Sequence, residues 1–178
     1  MDDARLLERA CKGDEDAFTR LFGQHQRGIH RYATRMCGAD AGDDVVQDTF
    51  LAVLRQPAGY DPSRGSVASY LFGIARHVIL KRLAARYGTA PTDGLDMELP
   101  AGGDTPLEAL ARAQDVDSVR AAVDALPVAY REAIVLCDLE EQDYATAAAI
   151  MKCPIGTVRS RLHRARALLG ARLICRHP

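Results

Sequence analysis

The chain has 178 residues, with 23 Lys and Arg against 24 Asp and Glu and a formal net charge of −1. Apolar residues make up 48%, enough to fill a core, which excludes wholesale disorder and suits one ordinary domain or two small ones. No run of 18 apolar residues occurs, so no membrane-spanning segment is predicted, and the acidic start Met1-Asp2-Asp3 without an apolar signal region predicts a cytoplasmic protein. Trp is absent, aromatics are 6%, and Ala, Leu and Arg are abundant, a mixture that favours helices over sheets.

Residues 2–12 are predicted as a short helix with Leu6, Leu7 and Ala10 on one face. Asp14 can cap a second helix whose apolar positions, Phe18, Leu21, Phe22, His25, Ile29, Tyr32, Ala33 and Met36, make one stripe at the 3.6 period, and Gly38 ends it. A third helix is predicted over about 41–56. It turns Val45, Val46, Phe50, Leu51 and Leu54 to the core and shows Asp43, Asp44, Gln47 and Asp48 outside. After Pro57 and the Tyr60-Asp61-Pro62 turn comes a longer helix, from about Ser66 to Arg86, burying Leu71, Ile74, Ala75, Val78, Ile79 and Leu83. From Gly88 to Pro106 periodicity gives way to Gly, Pro and acidic residues, which predicts a flexible acidic linker.

Thr105, with Pro106 and Glu108 behind it, is a good cap for a helix running to Leu126, before Pro127. Further helices are predicted at about 128–139, 143–151 and 155–173, with a short break at Lys152-Cys153-Pro154. Two helices across a short turn, the second basic, make the layout of a helix-turn-helix. The fold class predicted is all-α: two small helical domains, 1–87 and 107–178, joined by the linker 88–106.

The near-zero charge is segregated along the chain. Residues 55–86 carry 6 basic and 1 acidic side chain and residues 155–178 carry 6 and none, whereas 87–115 carry 1 and 6. Two separated basic faces suit two contacts to a phosphate backbone. In the last helix Val158, Leu162, Ala165 and Leu169 form a buried stripe, and Arg159, Ser160, His163, Arg164 and Arg166 are predicted to project outward, where they can enter a major groove. At the end of the first unit Arg64, Arg76, Lys81, Arg82 and Arg86 are interleaved with Tyr60, Tyr70, Phe72 and His77. Such a mixture suits holding unstacked bases.

No catalytic or metal site and no cofactor is predicted, because His-Glu-x-x-His, a phosphate-cradling Gly loop and a nucleophile elbow are all missing from the sequence. The five cysteines, Cys11, Cys37, Cys137, Cys153 and Cys175, form no Cys-x-x-Cys pair and read as small buried hydrophobes kept reduced. Cys175 with His177 is too little to assign a metal.

Several stretches carry a resemblance: Gly13-Asp14 with Ala17-Phe18, Asp43 to Phe50, Phe72-Gly73-Ile74-Ala75-Arg76, Leu126-Pro127 with Tyr130 to Ala133, and Met151 to Arg161. In that order they resemble a group 4, extracytoplasmic-function (ECF) sigma factor of the bacterial sigma-70 family. The resemblance implies sigma domains 2 and 4. It implies a core RNA polymerase docking segment (β′ clamp helices, with further contacts to the β subunit) at Asp43, Asp44, Gln47, Asp48 and Phe50. It implies a −10 surface that opens the promoter and captures flipped bases, at Tyr60, Arg64, Tyr70, Arg76, His77, Lys81 and Arg82. Finally, it implies a −35 reader at Thr157, Arg159, Ser160, Arg161, His163, Arg164 and Arg166.

An anti-sigma factor that clamps the two domains, sequesters the protein at the membrane in some settings and answers a stress is also implied. Tyr70 stands where the family usually has Trp and His77 where it usually has Asn. Lys152 replaces a common Gly, which predicts a mildly strained left-handed cap, and Thr146-Ala147 replaces a Glu-Ile pair, which predicts looser packing. The alternative is a stand-alone helix-turn-helix regulator, which has no need of the Asp43–Phe50 face.

Overall fold

The computed structural model describes residues 2–56, 59–87 and 116–174, with the side chains of 87, 116–118 and 174 excepted. The predicted linker 88–106, the Thr105 cap, Cys175 and His177 lie outside the described residues, and what is described is entirely helix and turn.

Three helices begin at an Asp whose side chain satisfies free backbone N–H groups. The Asp2 side chain accepts from Ala4 N at the head of α1 (Asp3–Cys11). Asp14 accepts from Ala17 N at 2.9 Å to start α2 (Glu15–Cys37), which Gly38 closes at φ 100. A 3-10 turn, Ala39–Ala41, leads into α3 (Gly42–Arg55). A Cβ at Gly42 would meet the His30 ring on α2, which would have to turn aside. After a second 3-10 turn, Pro62–Arg64, comes α4 (Val67–Tyr87). The three-helix core of α2, α3 and α4 buries Leu21, Ile29, Tyr32, Met36, Val45, Phe50, Leu71 and Ile79, with α1 lying across α2 through Leu6 and Leu7.

The second unit contains α5 (Val116–Asp124), α6 (Val128–Ile134), a π turn (Val135–Leu139), α7 (Tyr144–Met151) and α8 (Ile155–Ile174). The stripe Val158, Leu162, Ala165, Leu169 and Leu173 is buried along α8, where α5, α6 and α7 pack. The expected loosening at Thr146-Ala147 does not occur. Thr146 donates from both its N–H and its hydroxyl to Asp143, the α7 cap, at 2.9 and 2.8 Å, and Ala147 is fully buried.

Two expectations about the core need correcting. Leu51 and Leu54 are 38% and 37% exposed, and Val53 takes the inward position on α3 instead. On α4, Ile74 and Val78 are only half-buried whereas Phe72 is buried, because α4 is covered on two sides. One side is α2 and α3; the other is α7 of the second unit. The two units pack directly on each other.

The left-handed cap is present. Lys152 has φ 53 and ψ 45, and Cys153 N donates to Ala148 O at 3.1 Å. A non-glycine residue in that region carries a steric cost of about 1 kcal/mol. Lys152→Gly is expected to raise the melting temperature by about 2–4 °C, read by thermal unfolding followed by circular dichroism. No change or a fall would show that the lysine stem compensates for the strain.

Candidate nucleic-acid and polymerase surfaces

Asp43, Asp44, Gln47 and Asp48 are exposed together on the outer face of α3, as their i, i+1, i+4, i+5 spacing requires. Their carboxylates are engaged. Arg82 reaches over from α4 to Asp44 at 3.1 Å and Asp48 at 2.9 Å, bonds that raise its own pKa. His30 Nε2 stands 3.5 Å from Asp43. Phe50 differs from its four companions: it is 3% exposed and packs on Phe22 and Phe18, with ring centroids 4.9 and 5.9 Å away. It forms the floor of an adjoining pocket of about 590 Å³ with Val46, walled by Phe18, Phe22, Leu51 and Leu54. Of those walls Phe18 and Phe22 are half-buried against the core, whereas Leu51 and Leu54, expected to face the core, are surface residues. The available signal was the breadth of the apolar arc on α3, wider than one neighbouring helix can cover.

The predicted −10 residues divide into two groups. Tyr60, Arg64, Tyr70, His77 and Lys81 line one groove of about 1140 Å³. Its wall is built by the turn before α4: Asp61 accepts from Ser63 N and Oγ at 2.9 and 2.7 Å, Tyr60 donates to Gly65 O at 3.1 Å, and Gly65 holds φ 142. The Tyr60 and Tyr70 rings lie 5.6 Å apart at a 52° tilt, and burial pushes the Tyr70 phenol above its ordinary value, so it stays protonated. Gly59 leaves room for the Tyr70 hydroxyl.

Arg76 and Arg82 point elsewhere. Arg82 holds the α3 carboxylates, and Arg76 is turned to Glu132 of the second unit, with Nε at 2.7 Å. Helical periodicity explains the division. At about 100° per residue, His77 and Lys81 each fall within about 20° of Tyr70, whereas Arg76 and Arg82 lie a third of a turn to either side.

On α8, Arg159, Ser160 and His163 are exposed, and the Arg159 guanidinium also sits 5.7 Å from the centre of the Tyr144 ring. Thr157, Arg161 and Arg164 are half-buried at the flank, and Ser160 Oγ donates to Thr157 O at 3.0 Å. Arg166, expected to project outward, is folded back on the π turn. It makes two bonds to Asp138, at 3.0 and 2.6 Å, and these raise its pKa.

Known proteins share this arrangement. Residues 21–88 match the model of sigma-70 region 2 and residues 117–169 that of sigma-70 region 4. The chain is 32% identical over 177 residues to the ECF RNA polymerase sigma-E factors of Salmonella typhimurium strain LT2 and Escherichia coli K12, covering 93% of this chain and 91% of theirs. It belongs to the ECF sigma factor family.

Among solved structures, CnrH in complex with the cytosolic domain of CnrY is 29% identical, with a TM-score of 0.70 and 99% of both chains covered. The sigma factor RpoE in complex with the anti-sigma factor NepR from Bartonella quintana is 25% identical, with a TM-score of 0.67 over 90% of this chain and 98% of that one. In this sigma factor the family's two regions therefore coincide with the groove-bearing unit and the unit built around α8. Burial pushes the thiols of Cys11 and Cys37 up, and that of Cys137 up to about 11, so these three are thiols at neutral pH. Among the described residues no three His, Cys, Asp or Glu side chains come together as a metal site.

Proposed function

We propose that this sigma factor binds core RNA polymerase through Asp43, Asp44, Gln47 and Asp48 with the neighbouring apolar pocket, opens the −10 element in the Tyr60–Tyr70 groove and reads the −35 element with α8. The observation that carries the reading is the convergence of Tyr60, Arg64, Tyr70, His77 and Lys81 of the first unit in one groove, while the basic helix belongs to the second unit. Stacked aromatic surface with nearby cations is what separated bases require. The protein acts by binding, as an initiation factor without chemistry of its own, and works in the cytoplasm. No described helix is long and apolar enough to cross a membrane. The CnrH and RpoE structures were solved with CnrY and with the anti-sigma factor NepR. They support an anti-sigma partner here as well.

The test is run-off transcription with core polymerase on fragmented genomic DNA, with and without the protein. Discrete start sites that depend on it support the reading, and their alignment yields both promoter elements. No new starts, together with specific DNA retention by the protein alone, would favour a stand-alone regulator.

The docking face carries its own prediction. Gln47→Ala with Asp48→Ala is expected to weaken core binding by about tenfold or more, as loss of central polar contacts does, with helix content unchanged. Unaltered affinity in a fluorescence titration with core would remove α3 from the interface. The proposed domains 1–87 and 107–178, joined by 88–106, predict that limited proteolysis cuts first within 88–106; a first cut inside either domain would argue against that division.

A further inference from the structure

Among the described residues, four polar residue pairs join the two units. Glu132 on α6, 2% exposed, accepts from the Tyr32 hydroxyl on α2 at 2.8 Å and from Arg76 on α4 at 2.7 and 3.3 Å. Glu140, after the π turn, takes two bonds from Arg31 at 2.9 and 2.6 Å, where Gly28 leaves space on α2. Arg131 donates to Met36 O at 3.1 Å. The Tyr32 ring also packs on Phe72, centroids 5.6 Å apart.

A carboxylate withdrawn from water is tolerated only when its partners are complete. Here Glu132 has two donors, and both come from the other unit. The closure has a cost for DNA binding as well, because α7 sets Ala149 and Lys152 into the wall of the groove that holds Tyr70 and His77.

We propose that the free chain latches itself shut, with Glu132 taking Arg76 and Tyr32 so that the second unit walls one side of the base-binding groove, and that the groove opens fully only when the units are drawn apart. The functional consequence rests on the sigma-factor reading, while the latch itself does not. Glu132 occupies the guanidinium in the way a phosphate would, so the closed form withholds Arg76 from single-stranded DNA by the same chemistry that attracts it. A buried ion pair contributes little net stability against water, so the closed form is reversible by a partner of ordinary affinity. No anti-sigma factor is needed to reach this closed form.

Small-angle scattering of the whole free chain at physiological salt tests the closure directly, since a compact 178-residue chain has a radius of gyration of about 16 Å. The wild type is expected near that value, with Glu132→Gln and Tyr32→Phe several ångströms larger. The exchanged pair Arg76→Glu with Glu132→Arg is expected to be compact again. Binding of a mixed-sequence single-stranded oligonucleotide by the free protein should tighten about tenfold in Glu132→Gln. It should not tighten in Glu141→Gln, which removes an equal charge from an exposed position.

An extended wild-type chain overturns the latch without needing any variant. A Glu132→Gln chain that is folded by circular dichroism and as compact as the wild type overturns it too, as does equal tightening by Glu141→Gln. If Glu132→Gln fails to fold, Tyr32→Phe, which keeps the ring, decides in its place. Closure in scattering without polymerase-dependent starts would retain the latch and remove the sigma reading; the opposite pair of results would do the reverse.

Discussion

Alanine at Tyr70 is expected to slow promoter opening by roughly 5- to 150-fold, the equivalent of the about 1–3 kcal/mol that a base stacked on an aromatic ring is worth. The ring has few alternatives. Tyr60 is the other tyrosine of the groove, and it would have to give up its bond to Gly65 O at 3.1 Å to replace its neighbour. Tyr70→Phe keeps the face for stacking and is expected to stay within about threefold of the wild type, since the hydroxyl adds one modest hydrogen bond at most. Tyr70→Trp enlarges the face and should open at least as fast as the wild type. The measurement is the rate at which thymines of the −10 element become reactive to permanganate, on a promoter found by run-off, at saturating holoenzyme. An alanine variant that opens at the wild-type rate would take the ring out of base capture. Equal losses with Phe and Ala would assign the effect to the hydroxyl.

The second large effect separates two arginines that look equivalent in the sequence. Arg159→Ala is expected to cost about 1–3 kcal/mol at the −35 element and to relax preference at one base pair, as the loss of a guanine-reading arginine does. Arg166→Ala should leave base preference unchanged. Its guanidinium is already committed to Asp138 by two bonds, so its removal strands a carboxylate and lowers stability by a small amount instead. Anisotropy titrations on the matched and a scrambled −35 duplex distinguish the two, with thermal unfolding in parallel. Equal loss by Arg159→Ala on both duplexes would make it a phosphate contact. A change in base preference for Arg166→Ala would mean that the Asp138 pair opens on DNA.

The helices were legible because they rest on local chemistry. Asp14, Gly38, Pro127 and Asp143 mark element ends by capping or by breaking, whatever surrounds them. The stripe of α8 was legible for a similar reason, since Val158, Leu162, Ala165 and Leu169 repeat at the helical period and there is a single core for them to face. Lys152 could be placed in the left-handed region from the resemblance, because it stands where the family commonly has Gly. The failures cluster where a helix has more than one neighbour or more than one role. Leu51 and Leu54 fit the apolar arc of α3 as well as Val53 does, and only the positions of α2 and α4 decide which of them is covered. Arg76 and Arg82 belong to the basic block of α4, yet their partners, Glu132 and the pair Asp44 and Asp48, come from distant parts of the chain.

By itself, then, the amino-acid sequence determined the all-α class, the helix order, the two basic segments and the family likeness, because caps, breakers, periodicity and charge are properties of neighbouring residues. Which cations are available to DNA was decided only in the tertiary structure. An ion pair such as Glu132 with Arg76 forms between residues far apart in the chain, and it depends on the burial and orientation that packing imposes on both.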